Sequence, residues 1–125
     1  MILGTGVDLI EVSRIKRAFE RWEERFERRV FTEREIEYCR RKGATYMAFA
    51  ARFAAKEAFF KALGTGWSDS MSWREVEVVN TPDGKPEIRL YGMAAEIARR
   101  KGVMTIHLSI SHDHDHAIAV VLIEG

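Results

Sequence analysis

The sequence predicts an α+β domain: a largely antiparallel sheet packed on a long central helix. Three features lead there. Short alternating segments lie near both ends and in the middle of the chain; the stretch from about Thr45 to Leu63 is rich in alanine and phenylalanine and free of glycine and proline; and tight turn signals join neighbouring alternating segments as hairpins.

Ile2 to Ile10 reads as a strand, with Gly4 and Gly6 where its backbone passes close to something and Asp8 toward its end. From Val12 to Val30, Val12, Ile15, Phe19, Trp22 and Phe26 recur at spacings of three and four, the pattern of one amphipathic helix. On that helix Arg14, Arg17, Arg21, Arg25 and Arg28 form a stripe roughly 140° from the apolar one, and Glu20, Glu23, Glu24 and Glu27 gather on a third face. Thr32 with Glu35 three residues on is a capping box that opens a short helix to about Arg41, closed by Lys42-Gly43. The long helix follows, ends at Gly64, and gives way to a polar loop from Thr65 to Ser72 carrying Trp67. Arg74 to Asn80 and Pro86 to Tyr91 alternate as strands around the turn Thr81-Pro82-Asp83-Gly84-Lys85. Gly92 to Lys101 is a short helix stopped by Gly102, and Met104 to Ser111 and His116 to Ile123 are the last strands, joined through His112-Asp113-His114-Asp115.

At 125 residues and 46% hydrophobic content, residues 1–125 form a single domain able to bury a core without staples. The lone Cys39 leaves no internal disulfide, which fits a reducing compartment, and no cysteine-based zinc site. The start MILGTGVDLIEV lacks a basic region ahead of its apolar residues, and no apolar run approaches membrane-spanning length. A cytoplasmic protein without a membrane partner is expected. A net charge of +1 gives no argument for a nucleic-acid partner, although the first helix is locally basic.

Chemistry concentrates in Arg52 to Gly66, RFAAKEAFFKALGTG, where charges sit in an apolar helix. Glu57 and Lys61 are four residues apart and share a face with Ala50, Ala54 and Ala58, small residues that leave room for a ligand. Two readings stand side by side: an ordinary helix salt bridge, worth ~0.3–0.5 kcal/mol when exposed, or an active-site pair. Asp8 likewise either caps the following helix or joins Glu57 in a hard-oxygen site suited to Mg²⁺. His112, His114 and His116 sit where a hairpin must turn and do not converge; His112, directed by its strand, is the one placed to touch a ligand. The arginine stripe is either a solvated face or a docking surface for an acidic partner.

Gly6-Val7-Asp8, Arg52-Phe53-Ala54-Ala55-Lys56-Glu57-Ala58-Phe59-Phe60-Lys61-Ala62 and Ser109-Ile110-Ser111-His112 together resemble the 4'-phosphopantetheinyl transferases. The short length and the start MILGTGVDLIEVSRI resemble the small bacterial type, and the match runs in order through nearly the whole chain. The resemblance implies Mg²⁺-dependent transfer of 4'-phosphopantetheine from coenzyme A to a serine of apo acyl carrier protein, in fatty acid biosynthesis. It implies catalytic roles for Asp8, Glu57 and Lys61, with Asp8 and Glu57 as metal ligands and Lys61 at the phosphate. Arg52, Lys61, Gly64, Thr65, Gly66 and His112 would bind coenzyme A, and Arg14, Arg17, Arg21, Arg25 and Arg28 would dock the acidic carrier. It implies a homotrimer with active sites between subunits, so that His112 reaches a neighbour's site. Larger relatives carry a third acid two residues after the aspartate; here that position is Ile10, and water takes its place in preference to Glu11, which faces the other way. Lys56 falls on the side of Phe49, Phe53 and Phe60, where a snorkelling or subunit-bridging role is expected. The residues by themselves also admit a non-catalytic trimeric module that binds an acidic protein, or a metal-dependent phosphohydrolase.

Overall fold

The structure is a computed structural model that describes residues 1–64 and 70–125. Its elements in order are β1 (Ile2–Glu11), α1 (Val12–Trp22), α2 (Glu24–Val30), α3 (Glu33–Arg40), α4 (Thr45–Leu63), β2 (Val76–Asn80), β3 (Pro86–Leu90), α5 (Gly92–Arg100), β4 (Thr105–His112) and β5 (His116–Glu124). Antiparallel pairing puts β5 between β1 and β4 in one sheet, while β2 and β3 form a separate two-stranded sheet, so the predicted sheet is in fact two. Arg74 and Glu75, read as strand from the sequence, belong to a 3-10 turn at Trp73–Glu75, because Ser72 and Glu75 cap each other there and curl the backbone.

Helix α4 packs on the inner face of the three-stranded sheet. Most of its surface is covered: Phe49, Ala50, Ala54, Ala55, Ala58, Phe59 and Phe60 are all essentially inaccessible. Burying each of those phenylalanines contributes roughly 1.5–3 kcal/mol. Gly64 ends the helix at φ +84°, a left-handed cap that a residue with a Cβ adopts at a cost. Strand β1 alternates, turning Gly6 and Ile10 inward and leaving Leu3, Val7 and Leu9 exposed. The neighbouring β5 does the same, with Ala117, Ala119, Val121 and Ile123 buried and Val120 exposed. One face of the sheet is thus the core; the other is apolar and open.

The predicted single helix from Val12 to Val30 is two helices. Glu23 breaks it at φ +51°, while its N–H still donates to the Phe19 carbonyl. The bend lets Phe26 meet Phe19 edge to face at 5.3 Å and carries Val30 into the core. It also rearranges the charges. Glu27, predicted on a glutamate face, is buried and paired with Arg40, and Arg28 pairs with Glu24 at 3.6 Å. The capping box of α3 forms as the spacing predicts, with Thr32 and Glu35 bonded reciprocally.

Candidate active site

The site starts from two glycines. A Cβ on Gly4 would stand 2.1 Å from the Ala62 carbonyl oxygen, and one on Gly6 2.0 Å from that of Ala58. Only glycine lets β1 rest directly on the backbone of α4. The expected close approach of Gly4 and Gly6 is therefore an approach to this helix, and Ala54 and Ala58 are filled against the core, leaving no room for a ligand beside them.

Because Asp8 follows Gly6 by two residues it faces the same side of β1, toward the C-terminal half of α4. There Lys61 donates to Asp8 Oδ1 at 3.2 Å and to the Val7 carbonyl at 3.0 Å. Lys61 thus spans from helix to strand, and Asp8 does not cap α1, whose N-cap is Glu11 with no side-chain bond. Glu57 is half-buried beside them. Burial, then the Asp8 carboxylate, raises its pKa above the ordinary value, while Lys61 and Arg14 pull the other way. Asp8, Glu57 and Lys61, with Arg14 nearby, form one electrostatic cluster.

Two carboxylates that repel each other, one on β1 and one on α4, suit a hard cation. Asp8 and Glu57 are the oxygen donors available, and among the described residues no group of three or more His, Cys, Asp or Glu side chains converges. Ile10, in the place of a third acid, is buried in the core, and Glu11 is exposed on the opposite face of β1, where Ser13 Oγ donates to it.

Arg52 is elsewhere. Five residues before Glu57, it points roughly 140° away around the helix. Its Nη2 donates to Asn80 Oδ1 at 2.6 Å, and its guanidinium lies over the Tyr38 ring at 3.9 Å. Arg52 is only 4% exposed, and its buried Nε has no hydrogen-bond partner among the described residues. An unsatisfied buried donor costs about 1–3 kcal/mol, so an acceptor arriving there is favoured. Arg34, Arg41, Lys42 and Arg89 line the same pocket, a concentration of positive charge that suits an anion. The sequence reading missed these partners. Their signal was the spacing Arg34, Tyr38, Arg41 on one side of α3.

His112 ends β4 and is exposed. In register it shares a row with Ala117 and Ile10, so it lies two strands, about 9.5 Å, from β1 and does not join Asp8 within one chain. Gly64 caps α4 one turn past the cluster. Thr65 and Gly66, expected in the same pocket, lie outside the described residues.

The arginine stripe is divided by the bend at Glu23. Arg14, Arg17 and Arg21 remain together along α1. Arg25, on α2, instead flanks an aromatic groove formed by Trp22, Phe26, Phe53 and Trp73, and Arg28 is exposed beyond it. A basic strip running into an apolar groove is the surface that an acidic helix with apolar anchors would match.

The family model of the 4'-phosphopantetheinyl transferase superfamily matches residues 4–121. The chain is 48% identical over 125 residues to the holo-[acyl-carrier-protein] synthase of Solibacter usitatus (strain Ellin6076), covering 100% of both. Its structure is similar to the crystal structure of the Neisseria meningitidis holo-[acyl-carrier-protein] synthase, with a TM-score of 0.93, 33% identity and 100% of both chains covered. It is also similar to the Helicobacter pylori holo-[acyl-carrier-protein] synthase solved in complex with coenzyme A, with a TM-score of 0.85, 31% identity, and coverage of 96% of this chain and 99% of that one.

Proposed function

The chain belongs to the 4'-phosphopantetheinyl transferase superfamily, and from that footing we propose that it transfers the 4'-phosphopantetheine arm of coenzyme A to a serine of apo acyl carrier protein. The cluster of Asp8, Glu57 and Lys61 carries this reading, since it sets two carboxylates and an ammonium side by side at a half-open edge. The serine oxygen forms a new bond to the phosphorus that bears the pantetheine arm. The bond from that phosphorus to the bridging oxygen breaks, releasing adenosine 3',5'-bisphosphate, and the serine proton leaves to a base. Asp8 and Glu57 would hold Mg²⁺, whose repulsion-relieving charge suits their mutual unfavourable field. When bound, the ion supplies charge neutralisation at the diphosphate. Lys61, held by Asp8 and the Val7 carbonyl, presents its remaining proton toward the phosphate oxygens.

Arg52 belongs to the same substrate through a different subunit. A diphosphate at Glu57 and a phosphate at Arg52 lie on opposite sides of α4, so one chain does not engage both ends of coenzyme A at once. A homotrimer with sites between subunits resolves this, and it covers the exposed apolar face formed by Leu3, Val7, Leu9 and Val120. Each site then combines Asp8, Glu57, Lys61 and the Gly64 turn with Thr65 and Gly66 from one copy, and Arg52 or His112 from the next. Arg14, Arg17 and Arg21 receive the acidic carrier, and Arg25 and Arg28 continue the surface along the aromatic groove. Residues 1–125 act as one domain. On this reading the protein works in the cytoplasm, in fatty acid biosynthesis; no described helix is long and apolar enough to cross a membrane.

The test is to incubate the protein with coenzyme A, Mg²⁺ and apo carrier protein and weigh the carrier by mass spectrometry. The arm should appear on wild type and be absent with Glu57→Gln, whose circular dichroism stays that of wild type. Bisphosphate release without mass gain would indicate a phosphohydrolase, and carrier binding without either product a non-catalytic module.

A further inference from the structure

Lys56, expected to snorkel or to bridge subunits, does neither: it is 0% exposed. Its Nζ donates to Glu35 Oε1 at 2.8 Å, to the Val76 carbonyl at 2.6 Å and to the Trp73 carbonyl at 3.1 Å, which uses all three ammonium protons. Glu35, equally buried, accepts from Thr32 N at 2.9 Å on the oxygen that holds Lys56, and from Val78 N at 2.8 Å on the other. Every group of this pair is satisfied, and together they bind α3, α4 and β2.

A second bridge joins the same three elements one turn away. On α3, Tyr38 follows Glu35 by three residues; on α4, Arg52 precedes Lys56 by four; on β2, Asn80 follows Val76 by four. Tyr38, Arg52 and Asn80 meet as Glu35, Lys56 and Val76 do, but this bridge leaves the Arg52 Nε without a partner. One bridge is fully satisfied; the other keeps an unsatisfied donor in a residue that lines a pocket.

We infer that Lys56 and Glu35 are positioning residues for anion binding, fixing α3, α4 and β2 so that Tyr38 and Asn80 hold the Arg52 guanidinium where it lines a pocket able to take a phosphate monoester. Apolar packing could hold the three elements together, but directional bonds set which way they face one another. This rests on the transferase reading only for the identity of the phosphate, which there belongs to the adenosine bisphosphate end of coenzyme A.

The experiment compares wild type, Lys56→Met, Glu35→Gln and Phe59→Leu, the last a core change that removes no bond of either bridge and serves as a control for lost stability. Adenosine 3',5'-bisphosphate is titrated calorimetrically, the Arg52 Nε–H resonance is followed by NMR, and KM is measured for each substrate. Lys56→Met and Glu35→Gln should weaken bisphosphate binding about tenfold or more, shift the Arg52 resonance, and raise KM for coenzyme A with KM for the carrier nearly unchanged. Phe59→Leu should do none of these at a comparable loss of Tm. Unchanged binding and resonance in Glu35→Gln, or equal changes in Phe59→Leu, would overturn the inference. If Lys56→Met does not fold, Lys56→Gln, neutral but still hydrogen-bonding, replaces it. Wild type that fails to bind the bisphosphate would overturn the transferase reading instead, and the Arg52 resonance would still decide the positioning role.

Discussion

Gly6 and Ala58 stand so close that a Cβ on the glycine would lie 2.0 Å from the alanine's carbonyl oxygen. This contact sets how near β1 comes to α4. It therefore sets how near Asp8, two residues along the strand, comes to Glu57 and Lys61 on the helix.

Gly6→Ala should consequently injure both stability and site. The new methyl meets backbone, which cannot rotate aside, and the expected loss is about 3 kcal/mol, at the upper end of overpacking costs. Urea denaturation measures it. Transfer activity should fall further than in a core variant of equal stability, because Asp8 is displaced along with the strand.

Glu57→Gln should raise the stability of the metal-free protein while removing activity. The native Glu57 pKa is raised by burial and by Asp8, so the folded state holds that proton more tightly than the unfolded state. Stability from this group is then undiminished below the unfolded carboxylate pKa and is lost as pH rises through the folded one. The variant's advantage should be absent near pH 4 and present at pH 8, read from urea midpoints without divalent ion. An advantage independent of pH would disprove the charge explanation. In wild type, Mg²⁺ should bind more tightly as pH rises over the same window.

Charge reversal at Arg14 and Arg21 should raise KM for the carrier protein tenfold or more and KM for coenzyme A little. Both arginines are exposed on α1, so the wild-type effect should weaken as salt rises. Equal effects on both substrates would remove the docking role.

Val120→Asp should dissociate the proposed trimer. Val120 sits mid-strand in β5 opposite Val7 and Ser109, on the open face, and is 37% exposed in the single chain. A charge there is tolerable to the monomer and costly in an apolar interface. Light scattering should report a folded monomer, and transfer should be lost with assembly. A trimer of undiminished activity would refute the interface.

Much of the site was legible because its parts are local. Thr32 and Glu35 declared a cap by their spacing, and Gly6-Val7-Asp8 with Glu57 and Lys61 marked a strand end and a helix face. The bend at Glu23 was not legible, since the apolar spacing continues unbroken across it; the contact between Phe19 and Phe26 decides it. Nor was the burial of Lys56 and Glu27, because a charged side chain reads as solvent-facing until its partner, Glu35 or Arg40, is brought to it from another helix.

The sequence by itself determined the order of the elements, the caps that end the helices, and the residue types able to hold a cation and a phosphate. Periodicity, capping and turn chemistry act over a few neighbouring residues and are written there. Tertiary structure alone decided that Asp8 meets Lys61 across 53 positions, that Arg52 faces Tyr38 and Asn80 away from Glu57, and that one face of the sheet is left uncovered. Those outcomes depend on which surfaces pack together, and packing is a property of the whole chain.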